Sequence, residues 1–258
     1  VQTYTEKGFR GSDKEWESMC IPFDEDAKIC LNGVIDRVDL CSLPGEELIK
    51  IIDYKSSDSQ DLSLARVYYG LQMQLLTYLE AAKEMVEKEH KGKEAVPAAM
   101  LYYAIKEKNL DWKPESEEEY EKRVLDSMKC KGYVNEEPEI IGHLDKSVVD
   151  GGELIPGQKS GVVPVAVDKK GLLKKNSGTL STKDFETLIA HTKEKMKECG
   201  KAILDGKIEA IPYVYEDNDG CTYCPYGSVC GHESKKDGVR EMKKMSDDEV
   251  WEALYGDD

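Results

Sequence analysis

The stretch KICLNGVIDRVDL-CSLPGE-ELIKIIDYKSS, residues 28–57, decides how this chain is read. Two apolar runs, Lys28 to Leu40 and Glu47 to Lys55, flank a connection whose Pro44 and Gly45 mark a turn, which is the pattern of a β-hairpin. If the strands pair symmetrically about that turn, Asp36 falls opposite Asp53, and period-two alternation puts both side chains on one face. Val34, Val38 and Leu40 share that face with Asp36, while Ile49, Ile51 and Lys55 share it with Asp53. Opposed like charges cost a sheet about 0.2–1 kcal/mol, and burying them without partners costs several times more. A hard divalent cation reverses that sign. Mg²⁺ takes oxygen ligands from one or two carboxylates while keeping several waters, and exposed strand ends offer a carbonyl as well. Lys55 is then placed to orient a water or to stabilise a charged phosphate oxygen. An Asp before a Ser-rich turn and a Lys at a strand end are ordinary surface features by themselves. The partnership with Asp36 is what turns them into a candidate site. Arg37 and Asp39 fall on the opposite face, where an exposed ion pair accounts for them.

Outward from the hairpin, SLARVYYGLQMQLLTYLEAAKEMVEKE (63–89) keeps apolar residues at three- and four-residue spacing, which predicts one amphipathic helix of about seven turns. Gln74 and Tyr78 lie four apart on one face of it, where an amide and a phenol can reach a phosphate, a base or a metal-bound water. AAMLYYAIK (98–106) reads as a strand, so hairpin, helix and strand together predict mixed α/β. Beyond Pro114, Glu115 to Met128 reads as an acidic helix. Lys131 to Leu180 reads as mobile loops around one short strand, VVPVAV. Thr182 to Leu204 is a helix capped by Ser181 or Thr182, and MSDDEVWEALY near the end is a short helix.

With 258 residues the chain has room for one large domain with an appendage. The expected division is an irregular segment with one strand at 1–27, a core at 28–212, a cysteine segment at 213–232 and an acidic tail at 233–258. Lys and Arg number 36 against 52 Asp and Glu, a formal charge of −16, so the mean field repels nucleic acid and anionic membrane. Any DNA contact must therefore be local, metal-assisted or supplied by other protein. No apolar run is long enough to span a bilayer, no secretory signal opens the chain, and the start at Val1 without Met reads as an excised fragment. Cys221-x2-Cys224-x5-Cys230 brings three soft ligands within ten residues, a metal-site pattern that points to a reducing, cytoplasmic setting. Tetrahedral zinc and a cubane iron-sulfur cluster each need a fourth ligand. His232 is the nearest for zinc, and Cys20, Cys30, Cys41, Cys130 and Cys199 are remote thiols.

GVIDRVD (33–39), DYKS (53–56) and QLLTY (74–78), followed in order by AAMLYYAIKE, GYVNEE, DGGELIPG, STKDFETL and AIPYVYEDNDGCTYCPYGSVC, resemble the RecB-like branch of the PD-(D/E)xK nuclease superfamily. The fuller likeness, from about Lys28 to His232, is to the C-terminal nuclease domain of the B subunit of AddAB-type ATP-dependent helicase-nucleases. That resemblance implies a restriction-endonuclease-like mixed sheet flanked by helices, with a C-terminal cysteine-rich segment. It implies Mg²⁺- or Mn²⁺-dependent hydrolysis of one strand at a DNA end, the 5′-ended strand, beside a helicase-nuclease A subunit in recombinational repair. By position, Asp36, Asp53 and the carbonyl of Tyr54 would hold metal, Lys55 would be the catalytic lysine, and Gln74 and Tyr78 would complete the site. Cys221, Cys224 and Cys230 would bind a 4Fe-4S cluster. In the family the fourth cluster cysteine precedes the nuclease core, upstream of Val1, which would leave the cluster absent or incomplete here. No G-x-x-x-x-G-K-[ST] occurs, so ATP hydrolysis is not expected of this polypeptide. Two other readings are a non-catalytic scaffold gripping DNA or a partner, and a zinc module in the tail for protein contacts.

Overall fold

A six-stranded mixed sheet runs in the order β1 (Gln2–Phe9), β4 (Gly33–Ser42), β5 (Glu46–Lys55), β6 (Glu94–Ala104), β7 (Lys131–Asn135) and β10 (Thr179–Leu180). The computed structural model describes residues 1–10, 16–56, 61–105, 116–233 and 238–256. Ser57, Lys106 and Glu115, at the ends of expected segments, lie outside the described residues.

The central hairpin has the expected register, with pairs from Arg37 and Ile52 to Ser42 and Glu47. Leu43 and Glu46 exchange main-chain hydrogen bonds across Pro44 and Gly45, and Gly45 takes the positive φ of 84° that this turn needs. β6 joins β5 in parallel and sets Tyr102 beside Asp53. β7 returns antiparallel and sets Lys131 beside Tyr102.

Both faces are covered, as an α/β sheet requires. Val38, Leu40, Ile49 and Ile51 pack under α1 (Leu64–Tyr68), α2 (Gln74–Glu89) and α5 (Thr182–Leu204). Each such fully buried aliphatic side chain contributes about 1.5–3 kcal/mol. Glu80–Lys193 and Lys83–Glu186 ion pairs tie α2 to α5. On the other face Ile52, Leu101 and Val134 pack against α4 (Pro138–Leu144), the turn Lys146–Val148 and buried Val163 and Val165. α3 (Glu117–Ser127), capped by a reciprocal Ser116–Glu119 box, buries none of its residues. Ser181, not Thr182, caps α5, and Ser246 caps the C-terminal helix Asp247–Tyr255. No helix among the described residues is long and apolar enough to cross a membrane.

Four expectations are corrected. The single long helix is two, because Gly70 adopts a φ of 75° and the chain turns before α2 restarts at Gln74. The strand from Lys28 to Leu40 divides at Asn32 into β3 (Lys28–Leu31), which pairs with β2 (Met19–Pro22), and β4. The first segment, expected to hold one strand, holds two: β2, and β1, an edge strand of the main sheet paired with β4 from Gln2 and Leu40 to Phe9 and Gly33. The stretch 131–180 holds β7, α4, the ribbon β8 (Val149–Asp150) with β9 (Glu153–Leu154), and β10. VVPVAV buries Val163, Val165 and Val167, yet it is no strand. Pro164 has no N–H to give a ladder, and the segment folds on itself through Val165 N–H donating to the Val163 carbonyl at 2.7 Å.

Candidate functional site

Asp36 and Asp53 meet where the hairpin ladder ends. One residue beyond the Arg37–Ile52 pair, Asp36 replaces the main-chain exchange with its side chain, and its Oδ2 accepts the Tyr54 N–H at 2.8 Å. Asp53 is 3% exposed. Lys55 Nζ lies 2.5 Å from Asp53 Oδ2, but the contact lacks hydrogen-bond alignment, so that buried oxygen has no directional donor. Burial pushes the Asp53 carboxyl above its ordinary value. The Lys55 ammonium pulls it down and the Asp36 charge pushes it up again.

The helix break positions the rest of the site. Because α2 restarts at Gln74, its first turn faces the end of β5: Lys55 donates to Gln74 Oε1 at 3.0 Å, and Gln74 Nε2 donates to the Tyr78 hydroxyl at 2.9 Å. Asp53, Lys55, Gln74 and Tyr78 thus form one polar chain from strand to helix. Burial raises the Tyr78 hydroxyl, opposed by Gln74 and reinforced by Asp53 and Asp36. Tyr54 turns to the opposite face, where its ring meets Tyr103 edge-on at 6.0 Å.

Two supporting residues escaped the sequence reading. Tyr102, the β6 neighbour of Asp53, carries the Lys55 ammonium 5.2 Å above its ring, and burial followed by the Asp53 charge pushes its hydroxyl up to about 12. Phe9 braces Tyr78 edge-on at 6.0 Å; a Cβ on Gly33 would come within 2.7 Å of the Phe9 ring, so only glycine leaves that ring its place. An aromatic in the strand after the helix was visible as LYY. Its place beside Asp53 needed the β5–β6 register.

Arg37 and Asp39 do pair on the opposite face, at 2.9 Å, but Asp39 is buried rather than exposed. Lys50 reaches it at 2.7 Å and Thr3 donates at 2.8 Å. Burial pushes Asp39 up, and the Arg37, Lys50 and Thr3 contacts outweigh that and hold it below its ordinary value.

The two carboxylates fit a divalent cation, because they share a face and one of them buries an oxygen with no directional donor. The cysteines differ. Cys221, Cys224 and Cys230 are exposed, and among the described residues no three Cys, His, Asp or Glu side chains gather as a metal site. As arranged here they do not fit a cluster. Cys20 and Cys30, read above as remote thiols, are joined as a disulfide across β2 and β3 and so are not thiolate ligands.

A family model of the PD-(D/E)XK nuclease superfamily matches residues 2–231. Among curated proteins, the B subunit of the ATP-dependent helicase/deoxyribonuclease of Lachnoclostridium phytofermentans is 36% identical over 236 residues, covering 90% of this chain and 20% of that protein. The proteins of the same name from a Thermoanaerobacter species and from Clostridioides difficile are 32% and 30% identical, over 95% and 96% of this chain. The chain spans about a fifth of the length of these relatives. With the mixed sheet, the paired acids and the match over nearly its whole length, the chain belongs to the PD-(D/E)XK nuclease superfamily.

Proposed function

We propose that this chain is a metal-dependent deoxyribonuclease domain that hydrolyses phosphodiester bonds of single-stranded DNA. The observation that carries the reading is the Asp36–Asp53 pair with Lys55 against the under-satisfied Asp53 oxygen. In this reading Asp36, Asp53 and the Tyr54 carbonyl hold Mg²⁺ or Mn²⁺. When bound, the cation supplies Lewis-acid polarisation of the scissile phosphate and lowers the pKa of water. Lys55 orients the attacking water and offers its charge to the phosphoryl oxygen, while Gln74, accepting from Lys55 and donating to Tyr78, keeps the ammonium aimed. A raised Asp53 carboxyl means protons compete with the cation, so metal affinity weakens on acidification from a pH above the usual carboxylate range.

The relatives' name supports a further part of the proposal. By that name the domain works in a complex with a helicase-nuclease A subunit; action on the 5′-ended strand and a role in double-strand-break repair are proposed on the motif resemblance alone. The core at 28–212 belongs to it as well, widened to take in β1 of the first segment and Val250 of the C-terminal helix, which is buried in the same core. For Cys221, Cys224 and Cys230, which are not gathered as a site in the arrangement described, the reading is that a thiolate from outside these residues draws them together around a 4Fe-4S cluster. Iron with sulfide, rather than zinc, in anaerobically purified protein tests it. A cytoplasmic location completes the proposal, and the Cys20–Cys30 bond weighs against it.

The test is direct. With Mg²⁺ the parent degrades single-stranded DNA and Asp53→Ala does not; degradation by Asp53→Ala at the parental rate contradicts the assignment.

A further inference from the structure

Asp53, Tyr102 and Lys131 are neighbours across three successive strands, and paired residues of adjacent strands share a face. Lys131 therefore stands two strand spacings, about 10 Å, from Asp53 on the side where the acids lie. There it lines an open cleft of about 450 Å³ with Tyr133, Lys129 and Lys175, and Gly132 and Gly178 contribute backbone with no side chain to fill it. That volume suits a nucleotide-sized ligand rather than a duplex.

In a chain of net charge −16, three ammonium groups in one cleft beside the site stand apart. Asp61, Asp126 and Asp247 also line it, and the first two each face a lysine. Asp61, 76% exposed, holds Lys131 at 2.7 Å in a surface pair that a phosphate can displace at small cost. Asp126 faces Lys159 at 3.4 Å. Asp247 lies in the first turn of the C-terminal helix, where the unpaired main-chain N–H groups favour its charge, and burial followed by Asp248 pushes its carboxyl above the ordinary value. Lys129 donates to the Ser160 carbonyl at 2.8 Å and belongs to the wall. Lys131 and the exposed Lys175 remain to meet a ligand. Tyr133 adds the aromatic surface that lets a base stack without regard to sequence.

We propose that this cleft holds the DNA single strand adjoining the bond to be cut, with Lys131 and Lys175 taking backbone phosphates and Tyr133 carrying a base. The inference rests on the deoxyribonuclease reading for its ligand, but its test does not need turnover. Anisotropy of a fluorescein-labelled oligo-dT is followed in Ca²⁺ at several salt concentrations, for the parent, Lys131→Ala/Lys175→Ala, and a charge-matched control, Lys91→Ala/Lys201→Ala. The cleft variant binds about tenfold more weakly, and its log Kd against log salt slope falls by about 1.4, the value for two phosphates of a single strand. The control matches the parent. Lys131→Arg/Lys175→Arg restores the affinity, which separates lost charge from lost folding. Turnover of thymidine 5′-monophosphate p-nitrophenyl ester, too short to reach the cleft, is unchanged in the cleft variant. Equal affinity and slope in cleft variant and parent overturn the inference, as does a parent that binds no strand. Cleavage by Asp53→Ala at the parental rate, with the cleft results as expected, would sink the catalytic reading alone.

Discussion

β4 and β5 carry two buried aspartates within one hairpin, and their environments are opposite. Asp39, 4% exposed, receives Arg37, Lys50 and Thr3 and is held below its ordinary carboxyl value. Asp53, 3% exposed, has one ammonium against it without hydrogen-bond alignment, a second carboxylate nearby, and a raised carboxyl. Burial costs both of them. At Asp39 the chain's own donors offset the cost, which makes a structural clasp between β1, β4 and β5. At Asp53 the offset is left incomplete, and this is what a cation-binding carboxylate needs: a charge the protein alone does not satisfy.

The largest contrast should come from the lysines. Lys55→Ala is expected to lower turnover on single-stranded DNA about 100-fold, the scale for losing one preorganised charge in a reacting site. Lys50→Ala, which removes the matching partner of Asp39, leaves turnover within a factor of about two while lowering the melting temperature. Equal losses of turnover in the two would erase the distinction.

Next come the acids themselves, read by thermal melting without divalent ions. Asp39→Asn costs about 1–3 kcal/mol at neutral pH, because Arg37 and Lys50 lose their charged acceptor. The carboxyl is lowered in the folded state, so its stabilisation is present above the unfolded value, near pH 4, and disappears as pH falls through the folded value. Asp53→Asn should instead raise stability by about 1 kcal/mol. Its carboxyl is raised on folding, so the parent loses stability as pH climbs from the unfolded value through the folded one. A destabilised Asp53→Asn protein would place Asp53 in the same class as Asp39.

The smallest effect belongs to the ring under Lys55. Tyr102→Leu removes a contact of about 0.5–1 kcal/mol and should lower kcat two- to fivefold with KM unchanged, whereas Tyr102→Phe stays near the parent.

The legible part of the site was the part fixed by local chemistry. Pro44-Gly45 and period-two alternation set the register, and from it Asp36 and Asp53 could be brought together by counting. Gln74 and Tyr78 were legible as a helical pair, but what aims them at Lys55 is the break at Gly70, hidden because apolar spacing runs on through it. A strand was expected in the first segment, but its place in the main sheet was not legible, because QTYTEKGF is a mostly polar edge strand whose reason to be extended is its partner β4. β7 was missed because KGYVN is short and its Gly132 serves a close approach, a Cβ there falling 2.3 Å from the Met100 carbonyl oxygen. Tyr102 and Lys131 owe their places to pairing between strands far apart in sequence, which no local pattern encodes.

The central claim, that Asp53 is left under-satisfied for a cation while Asp39 is not, is tested most directly by calorimetric titration of Mn²⁺ into parent, Asp53→Asn and Asp39→Asn proteins at neutral pH. The parent and Asp39→Asn are expected to bind alike and Asp53→Asn to show no heat of binding at the hairpin. Parental Mn²⁺ affinity in Asp53→Asn would contradict the account.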